Sequence, residues 1–495
     1  MRKDVLVIGG GIGGLTAGAL LANDGFKVTV LEASNEWGGC AGKFERKPYL
    51  FPVGATLGMG FEEGGIHNKI LNKLQLHSKV YPLETIMKIK SNRPTIHYFR
   101  DRNAFIKEME SHFTKHKKEV KSFFYEVWKV GASVRALYDK LPILPPMVAR
   151  EWTNLIGLTS VKSIRLLSYI NRTMKDLLKK HNLDQVPSFV KFIDGVIIDS
   201  MQTNSSNCSA IMGCLALDIY HVGAFYVEGG LYKVAESLQQ SILQNGGQTL
   251  LRKKAVAICK RDSLWIVTDQ KGNVYEAQHV VCNLTVTSLI TILEEDLVRK
   301  LPHAYHKKSK NMQWGAFTLY AAIKEEHVKD KDTLFYQVIA SDNHAMTEGN
   351  HIFVSISHKD DRYRAPEGYR TLTVSTHTNI DDWQGKLQYE QKKQKLENMM
   401  IHSLSTIFSD LDSSSPEKLI SGGPRAWERF TQRPHGAVGG FPQTKDNSLF
   451  NSLSHRTSLK GLWLCGDNVF PGAGTIGVSI SGYHCYKSII DEKDS

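Results

Sequence analysis

No run of ~18 apolar residues occurs in this 495-residue chain, so a membrane-spanning helix is not expected. The longest apolar-rich stretch, Ser209 to Tyr220, is too short and contains Asp218. Cysteine is sparse. There are seven, and none is spaced C-x-x-C, which leaves a zinc ribbon or a dithiol redox centre without support. There is no H-E-x-x-H, no G-x-S-x-G and no internal repeat, and the 19 histidines are dispersed. Metal-centred and serine-nucleophile chemistry therefore have nothing to rest on. The first 22 residues imitate a secretory leader, but Asp4 interrupts the basic start. With so few cysteines, in odd number, the chain is expected in the reducing cytoplasm.

What is present is ordinary in bulk: 41% hydrophobic and 23% charged residues, the balance of a globular protein. Lys and Arg exceed Asp and Glu by 12, which invites nucleic acid, an anionic membrane surface or an anionic ligand. Residues 129–180 carry ten cations and three acids, more than half of that surplus. Apolar residues are interleaved with them: the Leu141–Val148 stretch with its three prolines, Trp152, and Leu158, Val161, Ile164, Leu166 and Ile170 at a roughly helical period. A basic, greasy segment of this kind suits the interface of an anionic bilayer. The short lysine clusters elsewhere lack the signature of a nucleic-acid module, so no nucleic acid is expected as a partner.

The amino terminus is more specific. Asp4 to Ile8 reads as a buried parallel strand, followed by Gly9, Gly11 and Gly14 in G-x-G-x-x-G spacing. A helical pattern and a second strand ending in Glu32 come next. Gly9 permits the turn, Gly11 lets the backbone approach a pyrophosphate, and Gly14 lets helix and strand pack closely. The helix amino terminus offers N–H groups to phosphate, and Glu32 can accept from ribose hydroxyls while repelling a 2′-phosphate. At the other end, the apolar strand Leu462–Leu464 runs through Cys465 to Gly466-Asp467, and a Gly-rich turn opens a helix. Asp467 suits ribityl hydroxyls, and the turn can aim N–H groups at a flavin edge. No second dinucleotide motif appears mid-chain, so electrons are expected to pass to a membrane quinone or oxygen rather than to bound NAD(P)H.

The glycine pair Gly38-Gly39 after Glu32 resembles the extended dinucleotide motif of FAD-binding oxidases and desaturases. Those families place an arginine next; here stand Cys40 and, nearby, Lys43. The ending is narrower. Glu428-Arg429-Phe430, Arg433 to Gln443, Gly466-Asp467 and Phe470 to Val478 resemble the phytoene-desaturase-like family of carotenoid desaturases, isomerases and oxidases. The resemblance implies FAD as cofactor. It places Gly9, Gly11, Ile12, Gly13 and Gly14 with Glu32 and Ala33 on the nucleotide, and Gly38, Gly39 and Lys43 near the phosphates. Thr56 falls beside the flavin, Val256 meets adenine through its backbone, and Asn283, Gly466, Asp467, Gly474, Thr475, Ile476 and Val478 complete the set. The fold implied is α/β, a Rossmann-type FAD domain (1–65, 228–295 and 421–495) interleaved with an α+β substrate domain (66–227 and 296–420). The latter would carry the membrane-facing helical segment near 129–180.

The activity implied is hydride abstraction from a carotenoid or related isoprenoid by an enzyme lying peripherally on the membrane. Isomerisation, or a carotenoid-oxidase or retinol-saturase-like activity on the same scaffold, a soluble amine oxidase and a non-catalytic binder are the alternatives. No catalytic residue stands out. Glu228 is a weak candidate base, and Arg429 and Arg433 are candidates for a tunnel mouth or lipid phosphate.

Overall fold

The computed structural model describes residues 2–158, 164–310, 314–383, 385–409 and 417–493. Its first sheet draws strands from three separated stretches of chain. Val274–Cys282, Arg2–Ile8, Val28–Leu31 and Gln248–Leu250 lie side by side in parallel. Leu462–Leu464 adds to the end of Val274–Cys282, also in parallel. Leu264–Asp269 and Ala255–Arg261 extend the opposite side as antiparallel strands. The central strands are apolar throughout because both faces are covered. Val5, Leu6 and Val7 are fully buried, between one cluster containing the Ile12–Asn23 helix and another containing Leu289 and Tyr305.

The second sheet runs in the order Lys418–Gly422, Trp314–Lys324, Tyr369–Asn379, His351–Ile356, Phe335–Ile339, Thr85–Lys90, Ile96–Phe99. Helix Lys386–Leu404 covers one face through Leu396, Met400 and Leu404. The strands at 85–99 are the contribution of the 66–227 stretch to this sheet. Met87, Lys88, Ile89 and Lys90 alternate apolar and basic at period two, the pattern of a half-buried strand.

Helices dominate between residues 102 and 222. Lys117–Tyr138, Pro187–Met201 and Ala210–Val222 pack around an aromatic core of Phe105, Phe123, Phe124, Phe189 and Phe192. Asp218, which breaks the longest apolar run, is fully buried and held by Arg102 at 2.6 Å and Arg135 at 2.8 Å. Gly131 lets the two helices meet there, since a Cβ would stand inside contact distance of Asp218.

The basic segment behaves unevenly. Leu144 and Leu166 are buried, whereas Met147, Val148, Trp152, Ile156, Ile164 and Leu167 are exposed. The periodic stripe is thus not one face, and Val161 and Lys162 lie outside the described residues.

Candidate functional site

Parallel strands of the first sheet end along one edge, the place where open α/β sheets hold ligands. Gly9 follows Ile8, Glu32 follows Leu31, Asn283 follows Cys282, and Gly466-Asp467 come just beyond Leu464. All of these face a single cavity of about 1350 Å³.

The glycines are close-approach points. Gly9 has φ +98°, and a Cβ there would sit 2.6 Å from the Asn283 carbonyl oxygen. A Cβ on Gly11 would lie 2.6 Å from Asn283 Nδ2, and one on Gly13 2.9 Å from the Val478 carbonyl oxygen. Gly14 abuts the Gly9 carbonyl so tightly that no side chain fits. Gly11 caps helix Ile12–Asn23 without any side-chain acceptor, which leaves that helix end for an anion. Gly38 donates its N–H to the Gly10 carbonyl at 2.8 Å, which seats the Gly38-Gly39 pair against the first turn. Glu32 accepts from Gly10 N–H at 2.6 Å and from Ser34 N–H at 2.7 Å, which fixes the carboxylate beside Ala33 on the cavity wall.

Thr56 lines the cavity with Gly54 and Ala55. Gly474, Thr475, Ile476 and Val478 do so from the start of helix Gly474–Lys493. Lys43 is on the wall, but its charge is committed to Glu236 at 2.8 Å and it sits 4.5 Å over the Tyr232 ring. Val256 falls at a bulge with its side chain exposed, and Lys254 and Ala255 line the cavity beside it. Glu228 lies off the cavity lining, held by Tyr81 at 2.7 Å and Lys79 at 3.3 Å. The Tyr81 hydrogen bond lowers the Glu228 carboxyl, a poor setting for a base. Arg429, exposed over Phe430, lies at the rim of the cavity, whereas Arg433 is half-buried on its wall.

Arg433 donates to Asp467 at 2.7 Å and to the Ala437 carbonyl at 2.5 Å. Burial opposes its charge, but Asp467 and the neighbouring Cys40 reverse the effect and raise its pKa. Burial also pushes the Cys40 thiol up, so it stays neutral. The cation missing after the glycine pair is therefore present in space, delivered from another part of the chain.

The far half of the cavity is apolar: Leu57, Met59, Met201, Met212, Leu215, Ile219 and Phe353. Polar side chains interrupt it, among them Gln202, Tyr220, Ser375 and the facing pair Asp199 and His377. Burial raises Asp199 to about 6, against the opposing effects of His377 and a 2.8 Å hydrogen bond from Gln337. Burial lowers His377 despite Asp199 beside it, and lowers His351 behind them to about 3. Sequence reasoning missed this cluster. Its one signal was a pair of acids, Asp194 and Asp199, inside the apolar run Phe192–Met201.

Comparison with known proteins decides among dinucleotide folds. The family model for flavin-containing amine oxidoreductases matches residues 12–485. The chain belongs to that family. This flavoprotein is 28% identical to the chloroplastic prolycopene isomerase of Daucus carota over 97% of its own length and 79% of the relative. It is 24% identical to a 4,4'-diapophytoene desaturase of Methylomonas, with 95% and 92% covered. A solved oxidoreductase from Methanosarcina mazei superposes with a TM-score of 0.66 at 15% identity, covering 98% of this chain and all of that one. The flavoprotein is an FAD-dependent oxidoreductase with the mixed α/β fold of its family. The uncapped helix end with its N–H donors, the side-chain-free approach at Gly9, Gly11 and Gly13, and the Asp467 acceptor at the strand edge together fit FAD.

Proposed function

We propose that the flavoprotein acts on a carotenoid or related isoprenoid, converting its double-bond pattern while lying on a membrane surface. One observation carries the reading: the cavity that begins at the nucleotide edge continues without a break into an apolar chamber. Its volume exceeds the ~300–1,000 Å³ usual for one small ligand, which leaves room for a dinucleotide and a long greasy chain. Relatives named for prolycopene isomerisation and diapophytoene desaturation favour the same substrate class. Between net desaturation and isomerisation, the higher identity to prolycopene isomerases favours isomerisation as a second reading beside desaturation.

When bound, FAD supplies a hydride acceptor and donor at its ring. The chain's own contribution is to hold and exclude. Gly9 to Gly14 and Glu32 would hold the nucleotide half, Asp467 the ribityl chain, and Arg433 would place a buried cation beside Cys40. The apolar wall from Leu57 to Phe353 would keep the polyene dry and aligned, the kind of positioning that replaces a strong acid or base. A quinone or oxygen would take electrons in a net desaturation.

The membrane placement is supported by the exposed apolar residues between Met147 and Leu167, with Arg150 and Arg165 among them. Tyr138, Asp139 and Leu141 of the cavity wall lead directly into that segment. Seven free cysteines accord with the cytoplasmic face. The decisive test is expression in a carotenoid-producing bacterium with pigment chromatography. Added double bonds indicate desaturation, and a changed isomer of equal mass indicates isomerisation. An unchanged pigment profile with FAD-loaded protein would sink the proposal.

A further inference from the structure

Asp199 and His377 stand together among the apolar residues of the chamber. Asp199 lies in the last turn of helix Pro187–Met201, and His377 projects from strand Tyr369–Asn379 beside it. Asp199 Oδ1 stands 4.0 Å from His377 Nδ1, and Asp199 Oδ2 stands 3.7 Å from His351 Nε2. Both separations exceed a hydrogen bond. Behind them His351 is fully buried with neither ring nitrogen partnered, and the Gln337 side-chain oxygen is likewise without a partner. Only Gln337 Nε2, at 2.8 Å, satisfies Asp199 directly. Tyr220, from helix Ala210–Val222, is the remaining titratable neighbour.

Polar groups left unsatisfied in an apolar chamber oppose folding and oppose the binding of a pure hydrocarbon. A hydroxyl is both donor and acceptor. Placed between Asp199 and His377, one oxygen can lie about 2.8 Å from each, donating to the carboxylate and accepting from the imidazole. We infer that Asp199 and His377 form a polar anchor that selects an isoprenoid bearing a hydroxyl at one end over the corresponding hydrocarbon. The anchor rests on the isoprenoid reading above and narrows it to an oxygenated substrate.

A matched pair of probes tests it: geranylgeraniol, and the hydrocarbon with hydrogen in place of its hydroxyl. Their affinities for the FAD-loaded full chain are read by quenching of protein fluorescence at fixed detergent, in wild type and in Asp199→Leu. Comparing each probe between the two proteins cancels its partition into detergent. The anchor predicts that Asp199→Leu weakens the alcohol by roughly tenfold, the scale of one buried hydrogen bond, and leaves the hydrocarbon unchanged or tighter. If both probes shift together, or neither shifts, the anchor is wrong while the isoprenoid reading stands. If neither probe binds wild type, the isoprenoid reading falls and the anchor with it. Should Asp199→Leu fail to fold, His377→Phe reads the same bridge from its other side, with the same expected loss for the alcohol alone.

Discussion

The nucleotide edge and the segment from Met147 to Leu167 are opposites in construction. At the edge, half-buried polar and charged groups each have a partner: Glu32 two backbone N–H groups, Arg433 Asp467. In helix Ala149–Leu158 the only buried residue is Glu151, while Trp152 is 50% exposed and Ile156 67%. Glu151 accepts from Arg456 at 2.5 Å and from Met147 N–H at 2.7 Å, so this helix is fastened to the protein by its acid and turns its apolar side outward. One region is closed around a ligand. The other is organised as if its counterpart were elsewhere.

The sharpest way to break this contrast is to unpair the closed region. Arg433→Met leaves the half-buried Asp467 without its cation, which costs up to about 3–5 kcal/mol. Thermal unfolding and the flavin-to-protein ratio of the purified chain should both fall. A stable, fully yellow variant would show that the pair is dispensable and that the edge is less closed than described.

The chamber between the two regions gives a pH-dependent version. Asp199 rises from 3.8 to about 6 because burial disfavours its charge. A carboxyl raised on folding contributes stability that is complete below pH 4 and is lost as pH rises through 6. Two pH units correspond to about 3 kcal/mol. Asp199→Asn should therefore gain stability over wild type as pH climbs from 4 to 7, in parallel denaturant titrations. An offset that stays flat with pH would mean the carboxyl is not buried as a titrating group.

Gly14→Ala comes next. The new methyl group meets the Gly9 carbonyl, and overpacking of this sort costs about 1–3 kcal/mol. Reduced flavin affinity and a lower Tm are expected, and wild-type values for both would argue that the turn has slack. This is also where sequence was most legible. A glycine that must carry no side chain is visible as a letter, and the spacing Gly9, Gly11, Gly14 reports backbone approach directly. Arg433 was visible but its role was not, because its partners Asp467 and Cys40 are assembled from distant parts of the chain. Asp199 and His377 were invisible for the same reason: a helix end and a sheet strand meet only in the fold. Strand Phe335–Ile339 carries no alternation, being buried on both faces, and so left no period to read.

The smallest effect on stability belongs to the open region, and it separates the two regions most cleanly. Six of the fifteen exposed large hydrophobic residues among the described residues fall between Met147 and Leu167. Replacing the exposed Trp152, Ile164 and Leu167 with Ser or Gln removes little buried surface, so stability should stay within about 0.5 kcal/mol per site. Binding to vesicles of anionic phospholipid should weaken strongly, since each apolar side chain withdrawn from a bilayer forfeits up to about 1.5–3 kcal/mol. Neutralising Arg150, Arg165 and Arg172 should remove about 1 kcal/mol per charge from the same binding, and only at low salt. Sedimentation with vesicles at two ionic strengths reads both terms. Unchanged sedimentation in both variant sets, with Tm preserved, would leave the outward apolar side without a lipid to explain it. A fall in Tm instead would show that these side chains pack on the protein, and the contrast with the nucleotide edge would disappear.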